Sequence, residues 1–282
     1  MLSTNSIERL RRCSPSRTVS IDTETTGLNK NSDEILSIAL VDGSGRELFY
    51  SLVKPTKRKR WPDATKIHGI TWNDVKDAPE LLDLYGEIAP IINGADLVIG
   101  YNLEYDLGMI AAAGASLNPR ATFDVMKEYS SIYGTWNEWR GHRQWMKLVD
   151  CAEHYGYEFS AHNALEDAKA TAYCFNQLMN DENYYQESLN VEKEIEEQAR
   201  AAKQAKRDRM AKIFFVIALF CAVGIVVELT NEKANAGGTV FYIVATTIFA
   251  ILAWLFKRGG GSKQQKRNEK PSAGKRAGSH FK

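Results

Sequence analysis

Four cysteines, Cys13, Cys151, Cys174 and Cys221, are all that this 282-residue chain carries, and they form neither a CxxC pair nor a metal-ligand spacing. A disulfide scaffold and a thiolate metal cluster are thereby excluded, and reduced structural thiols suit a cytosolic domain. The charged amino terminus, Met1 to Arg12, lacks a following apolar stretch, so no secretory signal is expected. Overall charge bias is also missing, since 36 Lys+Arg face 35 Asp+Glu for a net of +1. What remains, 44% hydrophobic and 25% charged, is ordinary globular composition.

That balance hides a division. Residues 1–180 carry 19 Lys+Arg against 24 Asp+Glu, a net of −5, whereas residues 181–282 carry 17 against 11, a net of +6. In the acidic part, β-type runs at Thr18–Asp22, Glu34–Val41 and Glu47–Val53, with the turn composition Asp42-Gly-Ser-Gly45, predict an antiparallel meander. Helical spacing over Pro79–Ile92, Glu104–Ala113, Lys147–Tyr155 and Ala164–Met179 alternates with short strands at Asp96–Gly100 and Ala121–Val125. Asn163 is placed to cap the last helix. The order predicts an α/β fold with a mixed five-stranded sheet flanked by helices.

The basic part reads differently. Residues 181–212 run from acid (Glu192, Glu194, Glu196, Glu197) to base (Arg200, Lys203, Lys206, Arg207), the pattern of a solvated helical stalk or, failing that, of a linker. Two apolar runs within residues 213–256, Ile213–Val227 and Thr239–Phe256, are uninterrupted by charge and separated by a short loop, 228–238. Together they are expected to form a transmembrane helical hairpin with the lipid bilayer as partner. Basic residues on both outer flanks put the chain ends on the cytoplasmic side of the membrane. The tail, 257–282, is basic and expected to be disordered.

Chemistry concentrates at Asp22 and Glu24. Residues i and i+2 of a strand share a face, so the two acids project together, an arrangement that suits a divalent cation held between them. Asp106 and Asp167 add two more hard oxygen ligands, and four such acids suit a pair of Mg²⁺ or Mn²⁺ ions and phosphodiester chemistry. The segments Ile21-Asp-Thr-Glu-Thr-Thr-Gly27, Gly100-Tyr-Asn-Leu-Glu-Tyr-Asp106 and His162-Asn-Ala-Leu-Glu-Asp-Ala168 occur in that order. Over residues 17–180 the chain resembles the DnaQ-like 3′→5′ exonucleases of the DEDDh pattern, within the RNase H-like superfamily.

The resemblance implies that Asp22, Glu24, Asp106 and Asp167 hold two Mg²⁺ or Mn²⁺ ions and that His162 is the general base for the attacking water. Histidine suits the task because its ordinary pKa lies nearest neutrality. It also implies DNA or RNA 3′ ends as partners and nucleoside 5′-monophosphates as products; protein partners are unknown. Thr25, Gly27, Leu28, His68 and Asn102 are candidate substrate contacts. For three of these a structural role competes: a turn for Gly27, packing for His68, the strand-to-helix turn for Asn102. Asp124 reads as a helix start. The family's second segment usually has His and Phe where Tyr101 and Tyr105 stand. Lys57-Arg-Lys-Arg60 could grip phosphates or be a solvated loop, and Tyr133, Trp136, Trp139 and Trp145 could stack bases or fill the core. Two rival functions are a non-catalytic nucleic-acid-binding protein and an endonuclease.

Overall fold

The computed structural model describes residues 1–230 and 236–258. The elements are α1 (Thr4–Arg11), β1 (Thr18–Thr25), β2 (Ile35–Asp42), β3 (Glu47–Leu52), α2 (Pro62–His68), α3 (Trp72–Val75), α4 (Tyr85–Gly94), β4 (Leu97–Gly100) and α5 (Leu103–Ala112). They continue as β5 (Thr122–Asp124), α6 (Val125–Tyr133), β6 (Trp136–Asn137), β7 (His142–Arg143), α7 (Leu148–His154), α8 (Ala164–Asn180), α9 (Glu182–Thr230) and α10 (Ala236–Arg258).

The five-stranded sheet runs in the order β3-β2-β1-β4-β5. Strands β1, β2 and β3 pair antiparallel, as the meander predicts, while β4 and β5 pair parallel to β1 and to each other. The carboxyl ends of β1, β4 and β5 therefore lie along one edge, the usual place for a ligand in such a sheet. The Asp42 turn is closed by its own carboxylate, which accepts from Ser44 N at 2.9 Å, and Gly45 supplies the left-handed φ of 83°.

Alternation splits the sheet into two packed faces. Ile21, Ile38, Leu40 and Val98 pack with Ile88 and Ile92 of α4 and Met109 and Ile110 of α5. Ala39, Val41, Leu97 and Ile99 pack with α7, α8, and Ile7 of α1. Because Asp22 pairs with Ala39 in the ladder, Asp22 and Glu24 share the α8 face. Helix α4 starts at Tyr85 rather than near Pro79, where a turn forms instead; the Asp83 carboxylate accepts from Glu80 N at 3.0 Å.

The chain divides into two compact units, Met1–Glu192 and Lys193–Lys282. The first includes more than residues 17–180: Ile7 and Tyr184 are both fully buried in it. In the second, Phe214 of α9 and Phe249 of α10 stack with ring centroids 6.2 Å apart. The acid-to-base segment lies within α9, with Arg200 paired to Glu196 at 2.8 Å, one helical turn away.

Among the described residues no helix is long and apolar enough to cross a membrane, which overturns the expected transmembrane hairpin over 213–256, its lipid-bilayer partner and the membrane location. Residues 228–230 of the expected loop belong to α9 and 236–238 to α10, as do 257 and 258 of the expected disordered tail, while 231–235 and the residues from 259 onward lie outside the described residues.

Candidate active site

Three carboxylates meet at the carboxyl edge of β1. One ligand oxygen each from Asp22, Glu24 and Asp167 lies within 4.8 Å of the others. Asp22 and Glu24 are presented by β1, and Asp167 by the first turn of α8. That turn is capped by Asn163, whose Oδ1 accepts from Leu165 N at 3.1 Å and Glu166 N at 3.3 Å. His162 stands just ahead of the cap, exposed, and its backbone N–H points at Asp167, 3.2 Å from both carboxylate oxygens.

Asp106 joins from the other layer. It is buried in the first turn of α5 and accepts a 2.7 Å hydrogen bond from Thr23 Oγ1. Thr23 sits between the two acids of β1, so its side chain faces away from theirs and toward α5. This is why Asp106 stands outside the close trio, although its charge is felt at Asp22. Thr23 went unnoticed in the sequence, yet its place between two acids on one strand is the signal that locates it.

Electrostatics follow from this crowding. Burial first, then the charges of Asp106, Asp167 and Glu24, push the Asp22 carboxyl well above the usual range. Burial and the charges of Asp167 and Asp106 raise Glu24 to about 8. Burial raises Asp106 to about 7 against the pull of the Thr23 bond, and raises Asp167 to about 6 against the hydrogen bond from His162 N–H and the His162 charge. Several acids crowded and partly desolvated are held against mutual repulsion, a cost that a hard divalent cation removes. The all-oxygen donor set fits such an ion.

Among the described residues, only Asn102 and His162 are non-glycine residues with positive φ, 70° and 68°. Asparagine adopts this region more readily than most residues, so Asn102 fixes the turn from β4 into α5. Its N–H donates to Asp124 Oδ1 at 3.3 Å. Asp124 is the expected helix start: it caps α6 through Lys127 N at 3.1 Å.

The loop after β1 is fastened from several sides. Thr25 Oγ1, Tyr105 Oη and the Gly27 carbonyl form a triangle with edges of 2.7, 2.8 and 2.9 Å. The tyrosine at 105 thus adds a bond that a phenylalanine could not form, and it occupies the Thr25 hydroxyl. Gly27 is not in the left-handed region; a Cβ there would stand 2.6 Å from the Asp33 carboxylate, so close approach is what requires glycine. Leu28, at 85% exposure, projects freely into solvent. His68 uses both ring nitrogens, Nδ1 accepting from Ile70 N at 3.0 Å, which leaves Nε2–H to donate to Thr25 O at 3.2 Å. Both bonds brace the loop that follows β1. The Lys57–Arg60 run is also tied in: Glu34 accepts from Lys57 N at 2.8 Å, and Arg58 pairs with Asp33 at 3.0 Å.

Residues 19–175 match RNase_T, the exonuclease family, over more than half of the chain. The chain belongs to this exonuclease family. The exonuclease is 38% identical over 164 residues to an uncharacterised exonuclease, CP81, of Escherichia phage 186, covering 54% of this chain and 82% of that protein. It is 32% identical over 113 residues to the DNA polymerase III epsilon subunit of Haemophilus influenzae, covering 37% of this chain and 43% of that one. It thus spans less than half the length of that subunit. Exonuclease X, solved in complex with 5′ overhanging duplex DNA, is 24% identical, with coverage of 58% of this chain and 91% of that one and a TM-score of 0.45. The enzyme is a DnaQ-like exonuclease, a phosphodiester hydrolase.

Proposed function

We propose that the enzyme removes nucleoside 5′-monophosphates one at a time from the 3′ end of DNA or RNA. The observation that carries this is the convergence of Asp22, Glu24 and Asp167 within 4.8 Å, with His162 on the adjoining loop. These acids, with Asp106 from the α5 layer, would hold two Mg²⁺ or Mn²⁺ ions. Such ions, when bound, stabilise the attacking and leaving oxygens of an in-line displacement at phosphorus.

The chain's own residues supply the rest. His162 would take the proton of the attacking water: its backbone is anchored to Asp167 while its imidazole is exposed, so it can reach the water and then return the proton to solvent. Water oxygen bonds to the last phosphorus, the bond to the O3′ of the preceding nucleotide breaks, and that O3′ takes a proton from solvent and leaves as a hydroxyl. Leu28, exposed beside the acids, would wedge against the terminal base, and the braced backbone from Thr25 to Gly27 would receive the 3′ end. Asn102, half-buried at the head of α5, borders the same edge. Lys57 and Lys59 on the fastened loop would meet phosphates of the incoming strand.

The test is a single strand carrying a 5′ label, incubated with Mn²⁺. A ladder shortening nucleotide by nucleotide, with mononucleotide products and a circular strand left whole, is expected. Cutting of the circle would replace this reading with an endonuclease.

A further inference from the structure

The β6–β7 hairpin exposes its tryptophans where the sequence favoured core packing of one or two of the aromatics: Trp136 is 52%, Trp145 59% and Trp139 100% exposed. A cluster of exposed apolar side chains rimmed by polar ones marks an interaction surface, whereas a lone exposed one does not. The hairpin is nevertheless tightly made. Trp136 pairs across the ladder with Arg143, Arg143 donates to Gly134 O at 2.8 Å, and Gln144 N donates to Thr135 O at 2.7 Å. At Gly134 a Cβ would stand 2.3 Å from the Gln144 carbonyl, so only glycine lets the two strands meet.

Its surroundings are basic and close to the acids' edge of the sheet. Residues 133–147 carry Arg140, Arg143 and Lys147 against Glu138 alone. Trp136, Arg143 and Trp145 line a cleft of about 420 Å³ together with Lys127 of α6. Lys127 reaches Glu104 at 3.0 Å and Asp124 at 3.8 Å, beside the turn that carries Asn102. Tyr101, one residue past β4, places its hydroxyl 3.0 and 2.9 Å from the carbonyls of Met146 and Lys147. The tyrosine thereby secures the end of the hairpin segment next to the active-site turn.

We propose that this hairpin is a stacking platform for single-stranded nucleic acid, holding the strand upstream of the terminal nucleotide. Indole faces stack on bases of any sequence, and the neighbouring arginines and lysines meet the phosphates. The proposal rests on the exonuclease reading above and extends it to how the substrate is held. A purely apolar protein partner would gain nothing from the excess of cations.

The experiment uses the full chain with Asp22→Asn, which binds without cutting, and a fluorescent single strand of about 12 nucleotides. Adding Trp136→Ala and Trp139→Ala should weaken binding about tenfold. In the otherwise unaltered enzyme the same pair should raise KM for that strand and leave dinucleotide hydrolysis unchanged. Trp139→Ala alone, altering a side chain wholly in solvent, should show part of the effect with an unchanged Tm. Parent-like affinity and KM in these variants would overturn the platform and assign the patch to a protein partner. Platform-dependent binding by a parent that releases no mononucleotides would uphold the platform and sink the catalytic reading.

Discussion

Glu24 shows what the site does to a single residue. Burial and like charge raise its pKa to about 8, and Asp106 and Asp167 follow at about 7 and 6. Folded pKa values above the unfolded ones mean that these groups favour folding fully below their ordinary range near 4, and lose that contribution as pH rises through about 6 to 8. His68, held low by burial, works the opposite way, but it is one group set against Asp22, Glu24, Asp106 and Asp167. Asp42 and Asp181, held low by hydrogen bonds, are fully ionised above about pH 5 and constant across this window. The protein treated with chelator should therefore melt roughly 5 °C lower at about pH 8 than at about pH 5. Mn²⁺ should abolish the difference by raising the melting temperature at about pH 8, and calorimetry in buffers of different ionisation heat should show proton release on Mn²⁺ uptake near neutrality. A flat melting profile with no proton release would show that the acids are not crowded as described.

At the scale of elements, the start of α8 sets the position of both Asp167 and His162. Asn163→Ala removes an acceptor for two N–H groups, costs about 1 kcal/mol of stability, and should lower kcat more than it changes KM. Unaltered kcat beside a lowered Tm would separate the cap from the chemistry. Much of this region was legible in sequence, because capping and i, i+2 alternation are local rules: Asn163, the shared face of Asp22 and Glu24, and the three-strand meander all followed from neighbours in the chain. The layer from which Asp106 arrives was not legible, since nothing local says that Thr23 faces α5. Strands β6 and β7 were hidden for another reason: two residues each are too few to show alternation. For His68 the sequence offered packing as an alternative, and its two backbone hydrogen bonds give that role a form no motif could show.

For the whole molecule, residue 180 is not where the first unit ends. Tyr184 is fully buried, and its hydroxyl donates to Glu128 at 2.8 Å, the same carboxylate that receives Leu2 N at 3.2 Å. Ending the chain after Asn180 should cost on the order of 3 kcal/mol, seen as a melting temperature well below that of a chain ending after Glu192; equal values would make α9 an appendage from its first turn. The apolar runs were judged from length and lack of charge alone, and the described helices do not extend that apolarity far enough for a membrane span. The most direct measurement is Mn²⁺-dependent mononucleotide release from a 3′-labelled single strand by the full chain, its Asp22→Ala variant and its His162→Ala variant. Rapid release by the parent and a loss of at least about a thousandfold in both variants is the expected result. Comparable release by all three would contradict the assignment of this cluster as the catalytic centre.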